Sequence, residues 1–182
     1  DFCTFDMNKS GAMLAWEYFH GTDIGNYPLL IHYVQDRDLW RWELPHSREI
    51  SACLFSYPYA FTQWSQFAMN LELSFDEVVA DGKAILRARQ QDVARMCDHT
   101  QWLPIAGFTV PVANASVHMS EVPEELLKRF PEAAFAAYYL DRADGKRQWG
   151  LRSVGDFAVS AIAKMYGGGG HKNAAGYQTD TP

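Results

Sequence analysis

A glycine-rich motif near the end of the chain reads Gly167-Gly168-Gly169-Gly170-His171-Lys172-Asn173-Ala174-Ala175-Gly176. Glycines lack a Cβ atom, so the backbone can turn sharply and approach a ligand closely. Consecutive backbone N–H groups in such a loop can form a concave anion-binding site. The alternative is a flexible linker, but linkers usually continue as Gly and Ser rather than return to an apolar strand. The motif therefore predicts a loop over residues 167–171 that binds an anion, first of all a phosphate, at the edge of a sheet.

The segments around the motif predict a small domain of strands and helices. Apolar residues at helical spacing, from Val159 to Tyr166, predict a helix directly before the glycines. A short strand is predicted after the motif, at 176–179. Further upstream, alternating apolar residues and turn signals predict two short strands between 102 and 114, a helix over 121–130, and strands over 133–140 and 148–153.

The first half of the chain predicts helices only. They are expected over 6–20, from Pro28 onward, over 47–57 and 60–70, and over 74–98, with Asp6 capping the first. Gly11 is expected to let another backbone approach the first helix. The sequence thus predicts an α+β protein with a helical segment over 1–73, a connecting helix over 74–99 and a mixed-sheet domain over 100–182.

Composition and charge favour a small anionic ligand over long nucleic acid or a membrane. The net charge is −6, and a general grip on nucleic acid needs clustered Lys and Arg. Residues 141–176 carry six basic and three acidic side chains, a local net charge of +3, although random scatter would also explain this asymmetry. No apolar run approaches the roughly 20 residues that span a bilayer. Cys3, Cys53 and Cys97 predict neither a disulfide framework nor a zinc site, so a cytoplasmic location is expected.

The motif GGGGHKNAAG closely resembles the signature of the DHH-associated C-terminal domain of DHH phosphoesterases. That family includes RecJ-type exonucleases, oligoribonucleases and exopolyphosphatase-like proteins. The segment Leu151-Arg152-Ser153 resembles the family strand that offers an Arg to the substrate. Residues 5–12 and 33–40 resemble the helix after the Asp-His-His motif and the last metal-binding motif of one bacterial and phage branch. The similarity covers nearly the whole chain.

The resemblance implies a metal-dependent phosphoesterase, with Mn²⁺ or Mg²⁺ in the full-length protein, acting on a short oligonucleotide, dinucleotide, polyphosphate or other small phosphoester. A homodimer is compatible with it. The implied metal ligand is Asp36, with Asp38 as second choice. The implied substrate-binding residues are Arg152, Gly168, Gly169, Gly170, His171, Lys172 and Asn173.

The chain also departs from the family. It contains no Asp-His-His, and the string Asp98-His99 falls at the end of a predicted helix, where we discount it. The chain begins with Asp1, so we expect it to be part of a longer protein. A non-catalytic module that binds a nucleotide or nucleic acid is the alternative function.

Several candidate residues have an ordinary structural interpretation. Asp36 could be a solvated carboxylate paired with Arg37 or Arg41, and Arg152 could be a surface residue with a packed stem. His118 and Ser120 are expected to be structural. Aromatic residues from Trp40 to Trp64 could stack a base, but we expect them to be core or packing residues.

We predict that the purified 182-residue chain hydrolyses phosphodiesters negligibly, because the chain lacks Asp-His-His and offers one candidate ligand motif. Release of mononucleotide from a dinucleotide with Mn²⁺ present, followed by chromatography, measures this. Robust turnover that a chelator abolishes would overturn the prediction.

Overall fold

The computed structural model describes residues 5–22 and 27–181, and the predicted α+β class is confirmed. The helices are α1 (Gly11–His20), α2 (Leu29–Asp38), α3 (Ser47–Leu54), α4 (Phe61–Leu73), α5 (Phe75–Asp98), α6 (Glu121–Arg129) and α7 (Val159–Met165). The strands are β1 (Gln101–Ile105), β2 (Phe108–Asn114), β3 (Ala136–Asp141), β4 (Lys146–Arg152), β5 (Gly169–His171) and β6 (Ala174–Asp180).

The chain divides into two compact units, Asp1–Ala88 and Arg89–Pro182, and the division falls within α5. The first unit contains α1–α4 and the beginning of α5. The second contains the end of α5, all six strands, α6 and α7. Each unit has its own buried apolar cluster.

Helix α1 begins later than the sequence predicts. Its first turn is capped by Ser10, whose Oγ accepts a hydrogen bond from the Met13 backbone N–H at 3.1 Å. Asp6, the predicted cap, instead accepts from the Asn8 N–H at 2.8 Å in the preceding turn. A side-chain oxygen at the cap satisfies a backbone donor that the helix leaves unpaired, so the residue that caps sets the start.

The core of the first unit is built from α2–α5 and contains buried residues such as Phe67 and Leu71. The prediction that the aromatic run is core holds only in part. Trp40, Tyr57, Tyr59 and Phe61 expose 62%, 39%, 83% and 95% of their surface, so these four side chains do not belong to the core. Phe61 is the first residue of α4, where few neighbours surround a side chain.

Two helical glycines in the first unit play opposite parts. A Cβ atom at Gly82, in α5, would collide with the backbone of Glu49 in α3, so the two helices pack too closely for any side chain there. A Cβ atom at Gly11 would meet nothing within 4 Å. The predicted close approach at Gly11 is therefore wrong, and it occurs at Gly82.

The second unit is organised around one six-stranded sheet with the order β1-β2-β3-β4-β6-β5. All neighbouring strands run antiparallel except β2 and β3, which are parallel and joined through α6. A parallel pair needs a crossover of this kind, whereas antiparallel strands can be joined by a tight turn. The turn between β3 and β4 lies at 142–145, one residue from the turn at 143–146 that the sequence predicts.

Helices cover the two faces of this sheet unequally. On one face α7 contributes Val159, Ile162 and Ala163 to a core that includes Leu151 and Tyr177. On the other face the end of α5 and α6 cover β2 and β3, where they bury Ala113, Ala136 and Tyr138. That second face remains without a covering helix over β6 and β5, since α6 makes no substantial contact with either strand.

The predicted glycine loop is in part a strand. Gly169–His171 forms β5, the edge strand, and pairs with Ala174, Ala175 and Gly176 of β6. Lys172 and Asn173 form the two-residue turn between them. Strand β6 accordingly starts at Ala174, two residues earlier than predicted. Three consecutive residues without bulky side chains at Ala174–Gly176 let β5 lie flat beside β6.

Among the described residues, no helix is long and apolar enough to cross a lipid bilayer.

We predict opposite effects for two Gly→Ala variants of helical glycines. Gly82→Ala should lower the free energy of unfolding by about 1–3 kcal/mol or more, because the new methyl group overlaps the Glu49 backbone. Gly11→Ala should raise it by about 0.4–1 kcal/mol, since the unfolded chain loses freedom and no collision follows. Urea unfolding measures both, and equal effects of the two variants would contradict the packing described.

Candidate ligand-binding groove

The second unit contains a groove of about 690 Å³ on and around β4, β6 and β5. The volume lies within the range of roughly 300–1,000 Å³ that is usual for small-molecule sites. Its lining residues are Tyr138, Gln148, Trp149, Gly150, Arg152, Tyr166, Gly167, Gly168, Gly169, His171, Ala174, Ala175, Gly176, Tyr177 and Gln178. A smaller cavity of about 340 Å³ lies elsewhere in this unit and includes none of the predicted site residues.

The strand register brings Arg152 and His171 to the same face of the sheet. Arg152 of β4 and His171 of β5 are both paired with Ala174 of β6, which lies between them. Paired residues of antiparallel strands project to the same side, and strands are about 4.8 Å apart, so the two Cα atoms are roughly 10 Å apart. The side chain between them is only a methyl group. A guanidinium and an imidazole therefore flank a gap at the open face.

A second row of the same face is nearly free of side chains. Gly150 of β4, Gly176 of β6 and Gly169 of β5 are register partners. At the β3 end of this row Tyr138 pairs with Gly150, and its ring occupies the space that a Gly150 side chain would need. The remaining row is exposed backbone, which gives the groove a flat floor next to Arg152.

The consecutive glycines differ in whether the fold has room for a side chain at their position. A Cβ atom at Gly168 would collide with the carbonyl oxygen of Gly176. Gly170 has φ +141°, and its Cβ atom would lie 2.6 Å from the carbonyl oxygen of Ala174. Both are therefore required by the packing of β5 on β6. At Gly169 a Cβ atom would meet nothing within 4 Å, and the backbone is not in the left-handed region.

The guanidinium of Arg152 is held in place by its surroundings. It donates hydrogen bonds to Ser120 Oγ at 3.0 Å and to the Leu151 carbonyl oxygen at 3.1 Å. A guanidinium has five N–H donors, so donors remain for a ligand. Ser120 was expected to be structural, and its hydroxyl contacts the side chain of the predicted binding residue Arg152. Its position before α6 carries no sequence signal for this role.

The two turn residues of the motif lie outside the groove lining. Lys172 Nζ forms an exposed ion pair with Asp156 at 2.8 Å. The Asn173 side-chain amide donates to Ser153 Oγ at 3.0 Å, to the Gly155 carbonyl at 3.1 Å and to the Phe157 carbonyl at 3.3 Å. The structure thus brings Arg152, Gly168, Gly169 and His171 together, and it directs Gly170, Lys172 and Asn173 to the hairpin itself.

The groove lining favours an anion. Among its residues Arg152 is a permanent cation and His171 can become one, and no carboxylate is among them. Tyr177 also lines the groove, and burial raises the pKa of its phenol to about 12, so the hydroxyl stays neutral near pH 7. The exposed His171 ring can donate a hydrogen bond to a phosphate oxygen. Gln148 and Gln178 add neutral donors that the sequence did not single out.

Asp36, the predicted metal ligand, is buried in the first unit and only 4% exposed. Its Oδ1 accepts a hydrogen bond from the Glu43 N–H at 2.9 Å, and its Oδ2 lies 3.4 Å from the Leu44 N–H. Asp38 is exposed. In residues 5–22 and 27–181 no three His, Cys, Asp or Glu side chains are grouped so that they could hold a metal ion. The described residues by themselves therefore do not fit the two-metal centre that the family resemblance implies.

Comparisons with known proteins agree with this architecture. No family model matches the chain. Over 97% of its length the chain is 27% identical to an uncharacterized protein of Acanthamoeba polyphaga mimivirus, and it spans 42% of that relative. Among solved structures, the pGpG-specific phosphodiesterase PggH from Vibrio cholerae has a TM-score of 0.51 and 11% identity, with 92% of this chain and 66% of that one covered. The DHH domain of a member of a ribosomal-protein family has a TM-score of 0.45 and 11% identity, with 72% and 36% covered.

The match to the phosphodiesterase shows a shared fold. The chain spans 42% of the viral relative and 66% of the phosphodiesterase.

We predict that Asp36→Asn destabilises the first unit. An amide keeps one acceptor oxygen and places a donor against a backbone N–H, so a charge-assisted hydrogen bond worth about 1.5–3 kcal/mol is lost. Asp38→Asn is the matched control, because the same change at an exposed residue should alter stability by less than about 0.5 kcal/mol. Urea unfolding followed by tryptophan fluorescence compares them, and a loss shared equally by both variants would refute a structural role for Asp36.

Proposed function

We propose that the second unit binds a small phosphorylated ligand, with the phosphate lying over the Gly169 backbone and within reach of the Arg152 and His171 side chains. The observation that carries this proposal is the open space above Gly169. The fold does not require glycine there, since a Cβ atom meets no neighbour and the backbone conformation is open to other residues. Glycine inside a strand weakens the strand and leaves nothing to pack. Its presence at this position is explained if a ligand approaches the backbone more closely than a side chain allows.

The surrounding chemistry suits a phosphate. A guanidinium can form two parallel hydrogen bonds to phosphate oxygens, and such charge-assisted bonds are roughly twice as strong as neutral ones. Arg152 is already oriented by Ser120 and Leu151, so less side-chain freedom is lost when a ligand binds. The absence of carboxylates from the groove lining removes the repulsion that an anion would otherwise meet.

We further propose that this groove serves a phosphoesterase. The Vibrio protein that shares the fold is a phosphodiesterase specific for pGpG, which is a small phosphorylated molecule of the proposed class. In such an enzyme the contribution of the second unit is orientation, because fixing one part of the substrate converts loose binding into a productive geometry. Short oligonucleotides, dinucleotides and polyphosphate all present the required phosphate.

The metal chemistry that the family resemblance implies needs ligands beyond those that the described residues group together. Mn²⁺ or Mg²⁺, when bound, would activate a water and stabilise charge on the phosphate oxygens. The carboxylate of Asp36 remains the proposed contribution of this chain. Both of its oxygens already face backbone N–H groups, although a carboxylate oxygen can accept from more than one partner.

A module that binds a nucleotide without hydrolysing it is the second candidate. This non-catalytic function is favoured for the chain by itself, because no three His, Cys, Asp or Glu side chains of the described residues are grouped so that they could hold a metal ion. Both candidates require the same groove, so binding experiments test what they share. Turnover by a longer form of the protein that includes any upstream metal ligands then separates them.

We predict that Gly169→Val removes ligand binding without unfolding the protein. Valine favours strands and meets no neighbour at this position, so the midpoint of thermal unfolding should be unchanged or higher. Its side chain should block the phosphate and lower the affinity for 5′-AMP at least tenfold, or by about 1.4 kcal/mol. His171→Ala should weaken binding by about 0.5–3 kcal/mol, the range for one hydrogen bond. Isothermal titration calorimetry with the full chain measures each.

Two kinds of control accompany this test. Gly168→Ala and Gly170→Ala should destabilise the hairpin, because both new methyl groups overlap backbone atoms of β6. Lys146→Ala removes an exposed ion pair with Asp180 at the far end of the same strands and should leave binding unchanged. Equal affinities of the wild type, Gly169→Val and His171→Ala would show that the hairpin is not a ligand site.

A further inference from the structure

The edge strand that carries His171 is held by α7 at its first end and by one residue at the tip of the hairpin. Strand β5 is three residues long and lies at the edge of the sheet, so it pairs with β6 alone. Its first end is tied to α7 by a hydrogen bond from the Gly168 N–H to the Ala163 carbonyl at 2.9 Å. Short edge strands with few partners open easily. The geometry of His171 therefore depends on what fixes the other end.

That end is fixed by Asn173. Its side-chain nitrogen lies within hydrogen-bond distance of Ser153 Oγ and of the Gly155 and Phe157 carbonyls. The Ser153 backbone N–H donates to the Asn173 carbonyl at 3.2 Å, and Ser153 Oγ donates to the Phe157 carbonyl at 2.6 Å. We refer to this arrangement of Asn173, Ser153 and Phe157 as the latch. The latch continues the β4–β6 pairing by one step beyond Arg152 and Ala174.

The latch lies directly beside Arg152 and His171, the two side chains that are proposed to bind the phosphate. Arg152 immediately precedes Ser153, and His171 lies two residues before Asn173. Ser153 is buried, so its hydroxyl is worth more in this network than at the surface, where water competes. The neighbouring ion pair between Lys172 and Asp156 is exposed on both sides, and such pairs contribute little.

We infer that Asn173 is a positioning residue, which sets the separation of His171 from Arg152 by locking the hairpin tip to the 153–157 segment. The inference rests on the proposed phosphate site and goes beyond it. Asn173 has two amide hydrogens and three protein acceptors, so it has no donor to offer a ligand. It acts through His171, and its side chain does not line the groove.

A double-mutant cycle with 5′-AMP as the probe tests this inference on the full chain. Asn173→Ala should lower the affinity about tenfold, and Ser153→Ala should do the same because it breaks the same network. The two changes together should cost less than the sum of their separate effects, since residues in one network are not additive. The decisive comparison is His171→Ala, which should cost several-fold in the wild type and nearly nothing in the Asn173→Ala background.

A purely structural role predicts different results. Val110→Ala serves as the control for lost stability, because it creates a cavity at a fully buried residue of β2. This variant should lower the midpoint of thermal unfolding without changing the affinity for 5′-AMP at temperatures below that midpoint. If Asn173→Ala behaves like Val110→Ala, or if His171→Ala costs the same in both backgrounds, Asn173 does not position His171. If the wild type itself fails to bind 5′-AMP, the proposed phosphate site fails and this inference fails with it.

Discussion

The pairing of β6 with β4 on one side and β5 on the other is the constraint on which the second unit depends. The groove residues that belong to β4, β6 and β5 take their positions from this register. Arg152 and His171 share a face because both oppose Ala174, and a shift of one residue would send one of them to the opposite face. The same register aligns Gly150, Gly176 and Gly169 into a floor of bare backbone. The packing of the hairpin and the shape of the groove floor thus follow from one ladder of hydrogen bonds.

This pairing is possible because small residues occur where backbones approach each other. Gly168 and Gly170 are needed for β5 to lie against β6, and Gly150 leaves room for the ring of Tyr138. Once those demands are met, Gly169 is the residue of β5 without a structural reason to be glycine. The glycine motif therefore contains two residues that the hairpin needs, Gly168 and Gly170, and one residue, Gly169, that leaves open space above the strand. The sequence cannot distinguish these two roles, because all three residues are glycine.

The first unit shows the same division between architecture and chemistry. Asp36 is buried, and its carboxylate is occupied with the backbone of Glu43 and Leu44. A buried carboxylate needs such partners, because an unpaired charge in an apolar interior is very costly. Gly82 lets α5 lie against the backbone of α3, which brings the core residues of this unit into contact. The first unit is thus a packed helical body in its own right.

The sequence by itself determined the α+β class, most of the helices and the identity of the motif that forms the groove. Periodicity is local, so the apolar spacing of α7 and the turn before β4 were evident without a structure. The likeness of GGGGHKNAAG to a known signature indicated the DHH-like fold. The tertiary structure alone decided that Gly169–His171 is a strand, that Ser120 contacts Arg152, and that the Asn173 side-chain amide contacts the 153–157 segment. The contacts of Ser120 and of Asn173 join residues that are 16 to 32 positions apart in the sequence. Such contacts depend on how the strands are ordered in the sheet, and a local sequence pattern does not encode that order. For the same reason the close approach expected at Gly11 occurs at Gly82, because only packing reveals which glycine another backbone meets.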